Sequence, residues 1–200
     1  MGQLIDRLQF AAKLCAGKKV LDIGGQHPFN HDSNHPFLLS YRQIASCSSQ
    51  YEIVDRQNQQ GVKYVADLNT REGLDNLTKI LKEYQPEVIL CMEILEHLMF
   101  PFEVMNLLGN YLLGHRAEVF ITIPNNGNWI LNVLNWHGDH NYAFFRSIAE
   151  RFVKRSKLGE CRIEMFPCMQ RYHWYWRLVW LLAFGQPFNW GFLVKSQQEK

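Results

Sequence analysis

The sequence predicts an α/β protein built on a doubly wound, mostly parallel sheet with helices on both faces. Three observations predict it. Short apolar runs alternate with helix-period patterns at βαβ intervals from about residue 19 to residue 123, and parallel strands need such crossovers. The run EVILCM, 87–92, is almost wholly apolar, as a strand covered on both faces must be. Run after run ends in an acid or a glycine, and in this architecture ligands gather beyond the carboxyl ends of the strands.

In chain order, residues 3–16 predict an amphipathic helix through Leu4, Leu8, Ala11, Ala12 and Cys15, stopped near Gly17. Strand one covers about 19–23. Asn34 is a plausible N-cap for a helix with Pro36 in its first turn, running to about 47. YEIVD (51–55) and the shorter VKYVAD (62–67) are strands two and three. Asn69 and Glu72 have capping-box spacing ahead of a helical face made by Leu74, Leu77, Ile80, Leu81 and Tyr84. After the strand at 87–92, Pro101 opens a helix to Gly114, and AEVFITI (117–123) is the next strand. Ser147 and Glu150 read as a capping box for a helix near 148–156, and late strands are expected at 161–166 and 190–196. That makes one domain over 1–200, with a first half of about 15–125 and a more irregular half of about 126–200.

Composition narrows the class. At 200 residues, 47% hydrophobic and 20% charged, the chain has the make-up of an ordinary globular protein, and a net charge of +2 gives no reason to expect a nucleic-acid partner. The first residues lack the apolar centre of a signal peptide. The five cysteines are scattered without a CxxC pair, which fits a reduced, cytoplasmic protein and not a disulfide framework.

The chemistry is expected just past the strand ends, at Gly24, Gly25, Asp55, Asp67, Glu93 and Pro124–Asn126. An acid after the second strand can take both hydroxyls of a ribose. Any single strand-ending acid can equally be a solvated or capping group; their recurrence on one edge favours a site.

VLDIGG (20–25), YEIVD (51–55), YVADL (64–68) and CMEILEHL (91–98), in that order, resemble the Rossmann-like (class I) S-adenosylmethionine-dependent methyltransferases. The nearest group is the small-molecule and glycan set whose fourth strand ends in a D/E-x-L-E-H-like sequence. The resemblance implies a seven-stranded sheet with the last strand antiparallel, and S-adenosylmethionine as cofactor. Carried over by position, Gly24 and Gly25 would let the backbone approach the methionine part, and Asp22 would organise that loop or meet the amino group. Asp55 would hold the ribose hydroxyls, Asp67 with Leu68 nearby would meet the adenine, and Met92 and Glu93 would line the cleft beside the transferring methyl. The family pattern D-x-G-x-G-x-G is broken here: Gln26 and Pro28 stand at its second and third glycine positions. Asp22 and Asp55 also lie farther apart than the roughly 20 residues between glycine loop and acid in dinucleotide folds.

The extra length carries His27, His31 and His35. Four-residue spacing aligns ligands on a helix, and Pro28, Asn30, Asp32, Ser33 and Asn34 argue against one there, so polar loop residues are expected in place of a metal site. Glu93, Glu96 and His97 raise a second metal question, because some quinone O-methyltransferases with a similar motif use such a cluster; no metal is expected here. His97 is a candidate general base, as are His137 and His140 in the irregular stretch after strand five. A structural histidine bonded to backbone is an equal reading of His97. Arg146, Arg151, Lys154, Arg155 and Lys157 form a local basic run, ordinarily a solvated helix face.

Residues 171–184 are aromatic and apolar but too short and too polar at their start to cross a bilayer. A core helix is the default; contact with a membrane surface, a lipid-linked acceptor or a second copy in a homodimer stays open. The expected function is methyl transfer, O-methylation by preference, to a small-molecule, glycan or lipid-linked acceptor. The alternative is a non-catalytic methyltransferase-like binding or assembly protein. A nicotinamide oxidoreductase ranks below both, because G-x-G-x-x-G is absent.

Overall fold

The computed structural model describes residues 5–25, 36–59, 61–125, 141–142, 144–169 and 189–197. The strands are β1 (Ile5–Asp6), β2 (Lys19–Ile23), β3 (Gln50–Asp55), β4 (Tyr64–Val65), β5 (Val88–Met92), β6 (Glu118–Pro124), β7 (Arg162–Met169) and β8 (Asn189–Lys195). The helices are α1 (Arg7–Cys15), α2 (Pro36–Cys47), α3 (Arg71–Tyr84), α4 (Pro101–Gly114) and α5 (Arg146–Arg155). All strands join one sheet in the order β1-β7-β8-β6-β5-β2-β3-β4. β8 runs antiparallel to both its neighbours, and every other pairing is parallel. The seven expected strands and the antiparallel last one are thus present, and the two-residue β1 adds an eighth at the edge.

Period-two alternation sorts the core into two faces. Leu21, Ile23, Ile89, Cys91, Val119, Ile121, Phe192 and Val194 meet α3, α4 and α5. Val20, Val88, Leu90, Met92 and Phe120 meet α1 and α2 through Leu8, Ala11, Cys15, Tyr41 and Ile44. β5 is buried throughout, which accounts for its unbroken apolar sequence. Tyr84 and Tyr111 bury their rings and donate their hydroxyls to the Val20 and Pro86 carbonyls, both at 3.1 Å. These bonds tie α3 and α4 to the lower edge of the sheet.

The start of the chain departs from expectation. Helix 3–16 is shortened to Arg7–Cys15, because Ile5–Asp6 pairs with Cys168 and Met169 of β7. Asp6 then caps α1 with Oδ1, which accepts from Leu8 N at 3.1 Å and Gln9 N at 3.2 Å.

Both expected capping boxes are absent. Thr70, not Asn69, caps α3 by accepting from Gly73 N at 3.0 Å. Asn69 instead accepts from Met99 N at 2.7 Å, which ties the β4 loop to the β5 loop. α5 starts after Phe145 with no side-chain cap, and Glu150 pairs with Lys154 one turn on, at 2.7 Å. Asn34 lies outside the described residues.

Candidate functional site

β2 pairs with β3 on one side and β5 on the other. The chain winds outward through β3 and β4, then returns to build β5 and β6 on the opposite side, so the strand order reverses between β2 and β5. A crevice opens there beyond the carboxyl ends. It measures about 580 Å³ and takes residues from each strand end: Gly24 after β2, Asp55 at the end of β3, Asp67 and Leu68 after β4, Met92 and Glu93 from β5. His97 is also in the wall. Seven of the sequence-derived site residues therefore share one cavity.

Asp22 and Gly25 are not in its lining. Asp22 is buried in β2 on the α1–α2 side, where the Tyr51 hydroxyl donates to its Oδ2. Burial pushes its carboxyl up to about 7, against the opposing pull of that hydrogen bond. Gly25 rests on it: an added Cβ would lie 2.6 Å from Asp22 Oδ2. Gly24 has φ +72° and donates to Val54 O at 2.8 Å. A Cβ there would come within 2.2 Å of Ile94 Cδ1 and fill the cradle that two hydrogens leave open.

The two acids of the β3–β4 side are held by their own loops. Asp55 Oδ1 accepts from Gln57 N at 2.8 Å, and Asp67 Oδ1 from Asn69 N at 3.0 Å. Each is an Asx turn made two residues away. The β5 side is built otherwise. Glu93 sits at φ +54°, a left-handed conformation costing a non-glycine residue about 1–2 kcal/mol. Its Oε1 lies 2.9 Å from Arg7 Nη1, and its Oε2 accepts from Asn189 Nδ2 at 2.6 Å. Arg7, in the first turn of α1, lines the same cavity.

Glu96 is 1% exposed, and burial, then the charge of Glu93, pushes its carboxyl well above the ordinary carboxylate range. Its Oε1 is 4.0 Å from His97 Nε2, beyond a hydrogen bond. The His97 side chain is 44% exposed. Among the described residues no group of three His, Cys, Asp or Glu is arranged for a metal ion. His27, His31, His35, His137, His140 and the run 171–184 lie outside the described residues. Among those described, no helix is long and apolar enough to cross a membrane.

Sequence reading missed Arg7, Tyr41, Arg56, Asn69, Ile94 and Leu98 in the wall. Arg56 and Asn69 adjoin predicted acids and were within reach of the same reasoning. Arg7 had one local signal, a cation in the first turn of a helix, where the macrodipole disfavours it.

No protein-family model matches the chain, and no curated protein matches it. Solved structures do. The methyltransferase domain of a bacterial Hen1 superposes with a TM-score of 0.54 at 17% identity, over 94% of this chain and 97% of that one. A Mesorhizobium loti S-adenosylmethionine-dependent methyltransferase gives 0.54 at 9% identity, over 94% and 95%. The N-methyltransferase NodS from Bradyrhizobium japonicum, in complex with S-adenosylhomocysteine, gives 0.50 at 9% identity, over 96% and 86%. The chain has the Rossmann-like fold of the class I S-adenosylmethionine-dependent methyltransferases.

Proposed function

We propose that the chain is an S-adenosylmethionine-dependent methyltransferase with an oxygen acceptor of small-molecule, glycan or lipid-linked type. One observation carries the reading: the switch-point cavity gathers the glycine cradle at Gly24 and the fixed carboxylates of Asp55 and Asp67 along one wall. These residues fit the cofactor. Asp55 would take the ribose hydroxyls, Asp67 and Leu68 the adenine, and Gly24 the close passage of the backbone. When bound, S-adenosylmethionine supplies a methyl on a sulfonium sulfur for in-line transfer, and the protein supplies alignment and a dry site. His97, exposed in the same wall, would take the proton of an acceptor hydroxyl.

The acceptor side carries Met99, Phe100, Tyr142, Phe145 and Ile148 as exposed apolar groups. Tyr142 is held beside the cavity by its hydroxyl on Met99 O at 2.9 Å and its N–H on Glu96 O at 3.3 Å. An acceptor with an apolar or aromatic body suits such a rim. The same exposed aromatics, with Arg146 and Arg151 on the adjoining helix, favour a second reading, an RNA acceptor whose bases stack there. The solved structures that match include the small RNA methyltransferase HEN1.

Calorimetric titration with S-adenosylmethionine and S-adenosylhomocysteine tests the reading. Saturable binding, abolished by Asp55→Ala, is expected, with a stabilisation of about 2.7 kcal/mol at a hundredfold excess over Kd. Absence of binding to well-folded protein near millimolar ligand returns the chain to the non-catalytic alternative. Methyl transfer from labelled cofactor to phenols, glycans, lipid extracts and short RNAs then separates the acceptors.

A further inference from the structure

We infer that the rim of the cleft docks on an anionic lipid bilayer, with Phe145 and Ile148 entering the headgroup boundary and Arg151 and Arg155 meeting lipid phosphates. Three pieces of chain build this surface. Met99 and Phe100 precede α4, Tyr142 stands beside them, and Phe145 and Ile148 open α5; all five are exposed, Met99 by 58% and Phe145 by 48%. They form one patch because the rings beneath them touch. Tyr142 meets Phe144 at 6.1 Å, Phe144 meets Phe152 at 5.6 Å, and Phe152 meets Phe102 at 5.5 Å between ring centres. The last contact joins α5 to the first turn of α4. The Tyr142 hydroxyl, donating to Met99 O at 2.9 Å, fixes the third piece. Single apolar groups on a surface need no explanation; a joined set at the mouth of a cavity marks a contact surface.

The cations indicate what covers it. Ile148, Arg151 and Arg155 follow at spacings of three and four, so they share one stripe of α5, turned away from the buried Ala149 and Val153. Both arginines are exposed, and the acids nearby are engaged elsewhere. Glu150 pairs with Lys154 and Glu160 with Lys157, both at 2.7 Å, and Glu103 lies 3.8 Å from Arg71. Apolar groups flanked by unneutralised arginines suit the boundary of an anionic membrane, where long basic side chains reach up to the phosphates. An RNA strand suits the patch less. Bases stack on ring faces, and Met99 and Ile148 have none, whereas an acyl boundary accepts aliphatic and aromatic side chains alike. The patch begins two residues after His97, and Asn141 Nδ2 donates to His97 O at 2.7 Å. Docking therefore turns the cavity mouth toward the lipid. Taken with the cofactor reading above, it selects a lipid-linked acceptor; the docking itself does not depend on that reading.

Co-sedimentation with vesicles, in the absence of cofactor, tests the inference. The wild type is expected to bind phosphatidylcholine vesicles carrying about one-third phosphatidylglycerol at least roughly 10-fold more tightly than phosphatidylcholine alone. An arginine near an anionic surface contributes roughly 5-fold, so the pair Arg151→Gln and Arg155→Gln together weakens binding about 20- to 30-fold. Phe145→Ser with Ile148→Ser, at exposed positions, weakens it about 10-fold. Lys13→Gln with Lys82→Gln removes the same charge from the last turns of α1 and α3, at the opposite end of the sheet, and leaves affinity within about 3-fold at physiological salt. No sedimentation with anionic vesicles overturns the inference. So does equal weakening by the arginine and lysine pairs, or a Phe145 and Ile148 variant that binds as the wild type does. A short single-stranded oligoribonucleotide is titrated in parallel; its saturable binding by protein that ignores vesicles overturns the inference in favour of the RNA acceptor. None of these outcomes bears on the cofactor reading, which the S-adenosylmethionine titration decides separately.

Discussion

The two walls of the cleft are made by different means. On the β3–β4 side, Asp55 and Asp67 are aimed by backbone N–H groups two residues away. On the β5 side, Glu93 is aimed by Arg7 and by Asn189, 96 residues away. The first kind of contact closes a minimal loop and costs little chain entropy beyond the strand that precedes it. The second exists only when the β1-β7-β8 side of the sheet is assembled against β6 and β5. A local wall can be read from a few letters and is damaged by local changes; an assembled wall depends on the register of strands far from it.

The largest effect is expected under both walls. Asp22 is protonated more readily in the folded state than in the unfolded chain, its carboxyl raised from 3.8 to about 7. The native state therefore holds a proton that the unfolded chain has lost, and Asp22's contribution falls as pH rises from about 3.8 to about 7. Asp22→Asn removes that dependence. Urea unfolding across the range is expected to show the wild type losing up to ~4 kcal/mol relative to the variant. Parallel pH profiles would mean that Asp22 is ionised in the folded protein.

Next comes the local wall. Gly73 in α3 lies against the Asp67 loop so closely that an added Cβ would be 1.9 Å from Asp67 O. Gly73→Ala, a change that stabilises an open helix, is expected to cost about 2–3 kcal/mol in denaturant unfolding. A gain in stability would show that the loop is not pinned by the helix.

The assembled wall should yield less. Arg7→Met strands a partly exposed Glu93 on Asn189 alone, and a loss of about 2 kcal/mol is expected once solvent screening is allowed for. Adding Glu93→Gln should return most of it; a double variant as unstable as the sum of the singles would mean that the two residues act separately. The smallest effect lies away from both walls. Breaking the Glu150–Lys154 pair on α5 with Lys154→Ala should cost only about 0.3–0.5 kcal/mol, and 1 M salt should erase it.

The same contrast explains what was legible. The strands and α3 and α4 announced themselves through periodicity, and Gly24, Asp55, Asp67, Met92, Glu93 and His97 fell into one cavity because strand ends in this architecture converge. The cap of α3 went to Thr70 because Asn69 was recruited by Met99, a partner that spacing cannot reveal. β1 stayed hidden within a helical pattern because its two residues become a strand only against β7. Arg7 followed from that: its neighbours in sequence mark a helix start, and its partner sits across the fold.

The β1–β7 pairing also sets an order of events during synthesis. β2 to β5 and the loops bearing Asp55 and Asp67 leave the ribosome early and carry their own contacts. Arg7, translated before any of them, cannot be seated until Cys168 and Met169 offer β1 a neighbour, and Glu93 is not fixed until Asn189 emerges. A nascent chain stalled before the last strands would present the Asp55–Asp67 wall of the cleft without the Arg7–Glu93 wall. A complete cleft would then be among the last features the chain acquires.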